Sequence, residues 1–301
     1  MYIEKEFYKS PLTSKRLKSA ISELSLSSKG VRAFYIGESV LKKQIHAISI
    51  GNINTATIFV SAVHAQEWIT ALLTMKFFEN LAYHYDLGID FMGTDLSALD
   101  DNGIVLIPML NPDGVDIAIN GVSSGEQFSG LISEAMRRDA RSWQANARGV
   151  DLNHNFDAGF YLLRQMEITK GIDAPSPRQY GGKTPHSEPE TKALTDFCES
   201  ADFARAVAFH SQGEEIYYKY GGNTPSSAKF IGQMLAASSN YKLCEPTGLA
   251  SHGGFKDWFI ERYRRPAFTI EIGRGTNPLP ISALDGIYNR VAKAMLTSII
   301  L

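Results

Sequence analysis

His64 and Glu67, in Ser61-Ala-Val-His-Ala-Gln-Glu-Trp68, place an imidazole and a carboxylate three positions apart. The two can converge on one point if the chain passes from strand to helix between them. Mixed nitrogen and oxygen donors of this kind suit zinc, and the pair then needs a third ligand from elsewhere in the chain. A lone His-x-x-Glu matches many chains by accident, so its weight depends on the reactive residues found elsewhere in the sequence. Three further places carry such residues at the ends of apolar runs. They are the loop Arg148-Gly-Val-Asp-Leu-Asn-His-Asn-Phe156, His210 after Val207-Ala-Phe209, and Glu271 within Phe268-Thr-Ile-Glu-Ile272. A charge inside an apolar strand is costly without a partner, and a metal site supplies one.

The elements that must position these residues follow from hydrophobic periodicity. Residues 55–63 are rich in β-branched and aromatic types and predict a buried strand, which delivers His64 at its end. Residues 67–85 predict a helix. Further strands are expected at 31–37, 44–50, 103–110, 204–210, 215–220 and 267–272, and further helices at 12–26, 187–200, 226–240 and 283–300. Asn111-Pro-Asp-Gly114 reads as a turn, because proline fixes φ and Asp-Gly tolerates a reversal. Residues 115–190 show little periodicity and read as long loops over one edge, where function tends to reside. Interleaved strands and helices without a linker or repeat predict one α/β domain over 1–301, with helices on both faces of a parallel or mixed sheet. In such a sheet the reactive residues gather at the rim formed by the strand ends.

Composition narrows the function class. The chain of 301 residues is 44% hydrophobic and 21% charged, with a formal net charge of -2. That balance favours neither nucleic acid nor an anionic membrane as partner. Met1 to Ser10 carries acidic residues rather than the apolar core of a secretory leader, and no apolar run is long enough to span a membrane. Cys198 and Cys244 do not make a disulfide framework and are expected to be free thiols in a reducing compartment, so a cytoplasmic location is expected.

The ordered set His64-Ala-Gln-Glu67, Asn111-Pro-Asp-Gly114, Gly149-Val-Asp-Leu-Asn153, His210-Ser211, Gly253-Gly-Phe-Lys-Asp-Trp258 and Thr269-Ile-Glu271 resembles the zinc carboxypeptidase family, the carboxypeptidase A-like metallopeptidases. The resemblance implies a single three-layer α/β/α domain around a mixed, mainly eight-stranded sheet. It also implies one Zn2+ per chain on His64, Glu67 and His210, with Glu271 as general base. Three protein ligands leave a fourth position for water, as a catalytic site requires. Asp151 matches the carboxylate that orients the first zinc histidine. Arg148, or alternatively Arg141, is expected to supply positive charge beside the developing oxyanion.

Where the family has Asn-Arg, this chain has Asn153-His154, and an imidazole cannot form the bidentate fork of a guanidinium. Lys256 occupies the position of a side-chain specificity residue, which suits a substrate with an extra carboxylate. Asn153, His154 and Lys256 are therefore the candidate substrate-binding residues. The chain resembles bacterial members of the family that cut the γ-D-glutamyl to diaminopimelate bond of cell-wall peptides, so a peptide substrate of muropeptide type is expected. A general metallocarboxypeptidase, an N-acyl amino-acid deacylase and a non-catalytic zinc-binding module are the alternative readings.

Overall fold

Strand β3 (Thr57–Val60) is buried at every position, as is β4 (Ile104–Ile107), so neither face of the sheet at its centre meets water. In the computed structural model, which describes residues 2–301, eight strands form one sheet in the order β1-β2-β4-β3-β5-β8-β6-β7. The outer members on one side are β1 (Arg32–Glu38) and β2 (Gln44–Ile50). Those on the other side are β6 (Glu215–Tyr217) and β7 (Lys242–Cys244). β5 (Arg205–His210) and β8 (Ala267–Glu271) complete the centre. The four central strands β4, β3, β5 and β8 run parallel, whereas β1 and β2 pair antiparallel with their neighbours, and β6 pairs antiparallel with β8 but parallel with β7. The mixed eight-stranded α/β architecture expected from the resemblance is thus the architecture found.

Alternation along each strand builds two cores. Phe59, Leu106, Val207, Phe209, Phe268 and Ile270 point to one face, where α1 (Ser14–Ser27), α2 (Ile69–Leu87), α7 (Ser226–Ser239) and α9 (Leu284–Ile300) pack. Ile58, Val60, Val105, Ile107, Ala206 and Ala208 point to the other, under α6 (Pro189–Glu199) and α8 (Phe255–Tyr263). This period of two, with both faces apolar, is what continuous apolar strands require. α2 ends on Gly88, which takes φ 63° and closes the helix as a left-handed cap.

Two regions before α6 depart from the sequence expectation. Asn111-Pro-Asp-Gly114 is not a free turn but the start of α3 (Pro112–Asn120), with Asn111 as N-cap accepting from Gly114 N at 2.9 Å and Pro112 in the first helical turn. The residues that favour a turn are the same ones that favour a capped helix start. Within 115–190, expected as loops, stand α4 (Ser129–Arg138) and α5 (Phe160–Thr169). Each is short and buries only two or three residues, Ile132 and Ala135 in α4 and Phe160, Leu163 and Glu167 in α5, so the apolar stripe is too thin to stand out.

Candidate metal centre and cleft

The parallel strands β3, β5 and β8 end at one rim and set three reactive residues side by side. His64 follows β3, His210 is the last residue of β5, and Glu271, the last of β8, is its neighbour in register. The chain leaving His64 makes a 3-10 turn, Ala65–Glu67, before α2 begins, which brings Glu67 back beneath the imidazole. His64 Nδ1 lies 2.9 Å from Glu67 Oε1, His210 Nδ1 lies 3.1 Å from Glu67 Oε2, and the two Nδ1 atoms are 3.1 Å apart.

His64, Glu67 and His210, each offering one ligand atom, form a cluster that could hold a metal ion, and their chemistry fits zinc. Two imidazole nitrogens facing one another at hydrogen-bond distance need a proton or a cation between them. Ligand bonds of about 2.0 to 2.2 Å in a tetrahedron imply donor separations of about 3.3 to 3.6 Å, so a small relaxation outward accommodates the ion. His64 Nε2 lies 3.2 Å from Asp151 Oδ1, which leaves Nδ1 free to ligate. Asp151 is itself fixed, accepting from Asn153 N at 3.1 Å, Gln144 Nε2 at 3.0 Å and Gln179 N at 2.9 Å.

The electrostatics favour a cation at this point. Burial opposes ionisation of Glu67, but the His64 and His210 rings outweigh it and lower the carboxylate to about 2. Burial also opposes the charge on His64, yet Glu67 and Asp151 together hold its pKa well above the ordinary value. His210 is lowered, first by burial and then by the neighbouring His64. Glu271 faces the cleft from largely desolvated surroundings, and burial together with the Glu67 carboxylate pushes it up to about 8.

A proton on His64 must leave when zinc enters. The folded pKa lies above the unfolded one, so this proton stabilises the metal-free protein fully below about pH 6.5, and the contribution fades as pH rises through the folded value. Zinc affinity should therefore rise about tenfold per pH unit on the acid side of that value. Asp151→Asn removes one of the two carboxylates that hold the proton and weakens the orientation of His64. We expect zinc affinity about 10- to 100-fold weaker at alkaline pH, with the gap narrowing as pH falls. A chelator competition titration across pH measures both effects; a constant gap at every pH contradicts the assignment of the proton to His64.

Around these groups lies a cleft of about 370 Å³, lined among others by Gln144, Asn153, His154, Arg178, Glu215, Lys256 and Asn277. A larger open depression of about 1070 Å³, around Lys29, Asn52, Tyr85 and Asp100, lies beside the chain that leaves β2 and holds none of the candidate metal ligands. Asn153 Oδ1 accepts from Phe255 N at 3.1 Å, and His154 Nδ1 is engaged with the buried Glu167 Oε1 at 2.7 Å.

Three residues expected to supply positive charge are placed otherwise. Arg148 does not line the cleft; it is half exposed, with Nη1 3.6 Å from Glu188 Oε2. Arg141 forks Asp139 on the surface at 2.6 to 2.9 Å. Lys256 reaches the cleft wall but is buried, its ammonium bonded to Asp257 and, at 2.9 Å, to Lys219 O. Asn277 and Arg178 join the cleft without any expectation from the sequence. Asn277 accepts from Ser211 Oγ at 2.8 Å and places Nδ2 3.5 Å from Glu67 Oε1. Its signal in the sequence is the polar, glycine-rich stretch after Glu271 at a strand end.

Comparison with known proteins accords with this geometry. The zinc carboxypeptidase family profile matches residues 18–293. The chain is 35% identical over 270 residues to the γ-D-glutamyl-L-diamino acid endopeptidase 1 of Lysinibacillus sphaericus, covering 88% of this chain and 66% of that protein. It is 34% identical over 265 residues to YqgT of Bacillus subtilis (strain 168), covering 84% and 68%. The chain thus spans about two-thirds of the length of these relatives. Among solved structures, bovine thrombin-activatable fibrinolysis inhibitor in complex with tick carboxypeptidase inhibitor superposes with a TM-score of 0.74 at 20% identity, covering 97% of both chains. That likeness concerns the fold.

Proposed function

The chain belongs to the zinc carboxypeptidase family, and on that premise we propose that it hydrolyses an amide bond in a carboxylate-rich peptide of cell-wall type, such as γ-D-glutamyl-diaminopimelate. The observation that carries the reading is the convergence of His64, Glu67 and His210 with Glu271 at one end of a cleft. The 35% identity to a relative named for γ-D-glutamyl-L-diamino acid cleavage supports the substrate class. A single catalytic domain over 1–301 and a cytoplasmic setting belong to the same proposal, the former supported by the one continuous sheet and the latter by two unpaired cysteines. No helix among the described residues is long and apolar enough to cross a membrane.

In this reading His64, Glu67 and His210 hold the zinc. When bound, the ion supplies a Lewis acid that polarises the scissile carbonyl and activates water near neutral pH. Glu271 takes the proton from the attacking water and returns it to the leaving amine. Asp151 fixes the tautomer and orientation of His64. His154 offers the substrate one ring nitrogen, because Nδ1 is committed to Glu167, so it cannot grip a carboxylate in two places. Lys256 is neutralised by Asp257 and does not attract the substrate's charge.

The test compares zinc-loaded protein on a γ-D-glutamyl-diaminopimelate peptide, an N-blocked dipeptide and an N-acyl amino acid. We expect kcat/KM for the γ-glutamyl peptide to exceed the others by at least about tenfold, a transition-state difference of about 1.4 kcal/mol. Equal or faster cleavage of the blocked dipeptide would return the reading to a general metallocarboxypeptidase, and preference for the N-acyl amino acid to a deacylase.

A further inference from the structure

Arg178 stands in the cleft wall without any carboxylate to hold it. It lies in the irregular chain between α5 and α6, and backbone contacts pin it on both sides. Pro177 O accepts from Gln144 N at 2.9 Å and from Ala145 N at 3.1 Å, while Gln179 N donates to Asp151 Oδ2 at 2.9 Å. Tyr180 O accepts from Asp151 N at 2.7 Å. The segment is thereby fastened to the residues behind His64, and Arg178 is held on the wall that carries Gln144.

Its guanidinium is nonetheless uncommitted. Arg178 Nε is buried without a hydrogen-bond partner, and the side chain makes no ion pair among the described residues. Asp139, which feels the Arg178 charge, is already forked by Arg141. Of the other basic side chains in the lining, Lys256 is held by Asp257 and His154 by Glu167, while His252 has a buried Nδ1 without a partner but no five-donor fork. An arginine presents five donors in a fixed plane, and a buried donor left unpaired costs stability unless something that enters the cleft uses it. Part of the cleft lining, meanwhile, is acidic: Glu215 and Glu271 are paired in register on β6 and β8, and both line the cavity. An anionic group is repelled by these carboxylates and drawn to the guanidinium.

We propose that Arg178 receives a carboxylate of the bound peptide in a bidentate fork, and so carries the charge recognition that His154 and Lys256 do not. This rests on the reading of the cleft as a peptide site. It assigns specificity to a residue outside every motif singled out in the sequence.

The test uses zinc-loaded wild type, Arg178→Lys and Arg178→Met, with zinc content measured first to show an intact centre. Substrates are a γ-D-glutamyl-diaminopimelate peptide and its counterpart with all carboxylates amidated. Loss of a charged bidentate contact should raise KM of Arg178→Met on the acidic peptide by about tenfold or more, with Arg178→Lys in between and little change on the amidated peptide. Equal losses on both peptides, a fall confined to kcat, or unchanged kinetics overturns the proposal. If wild type cuts neither peptide, the functional reading fails by itself, and calorimetric binding of glutarate against glutaramate decides the role of Arg178. A preference for glutarate that collapses in Arg178→Met supports it; an unchanged preference overturns it.

Discussion

Replacing Glu271 by Gln should leave zinc bound and lower the rate of peptide hydrolysis by about 10²- to 10⁴-fold. The amide keeps the size and planarity of the carboxylate but cannot accept a proton from water. The sheet itself sets Glu271 beside the candidate ligand His210: the two are register partners on adjacent parallel strands, so the carboxylate would stand next to an ion held in part by His210. In the metal-free site burial and the Glu67 carboxylate push Glu271 up to about 8. A bound dication reverses that balance and favours the ionised base. Activity should therefore fall on the acid side as Glu271 becomes protonated, and the Gln variant should lack that limb. Zinc analysis alongside the kinetics separates loss of the base from loss of the metal. A variant that keeps zinc and near wild-type turnover on the same peptide would place the base elsewhere.

Substituting His210 by Ala should act one step earlier and abolish stable zinc binding. His210 is 1% exposed and supplies one of three candidate donors from the end of β5. Removing it leaves His64 and Glu67, a pair joined through one short turn and insufficient for a structural or catalytic zinc site, both of which use at least three protein ligands. The loss should exceed the about 10- to 100-fold cost of disturbing an orienting residue such as Asp151. Hydrolysis should fall with the metal, to the level of the chelated wild type.

The difference in legibility between centre and surroundings has a physical cause. His64, His210 and Glu271 are readable because each ends or interrupts an apolar strand, and a parallel sheet gathers strand ends at one rim. The 3-10 turn through Ala65–Glu67 needs no more than the three-residue spacing. α8 is harder to see although Phe255, Trp258 and Phe259 repeat at helical intervals, because nine residues show little more than two turns of that period. β7, at three residues, is too short to show a period. Lys256 illustrates another limit. Its partner Asp257 is adjacent in sequence, and neighbours one apart on a helix ordinarily face different directions, so nothing in the sequence announces the pair. Arg178 lines the cleft where Arg148 was expected, because position in an irregular segment depends on hydrogen bonds that reach about 30 residues along the chain, such as Gln179 N to the Asp151 carboxylate Oδ2 with its separation of 28.

The most direct measurement removes all metal with a chelator and titrates zinc back into wild type and His210→Ala, following bound zinc and hydrolysis of the γ-D-glutamyl peptide together. The geometry predicts that the metal-free wild type is inert, that both signals rise in proportion and level off at one zinc per chain, and that His210→Ala recovers neither. Hydrolysis by the metal-free protein, or one tightly bound zinc in His210→Ala, would contradict a catalytic zinc on His64, Glu67 and His210.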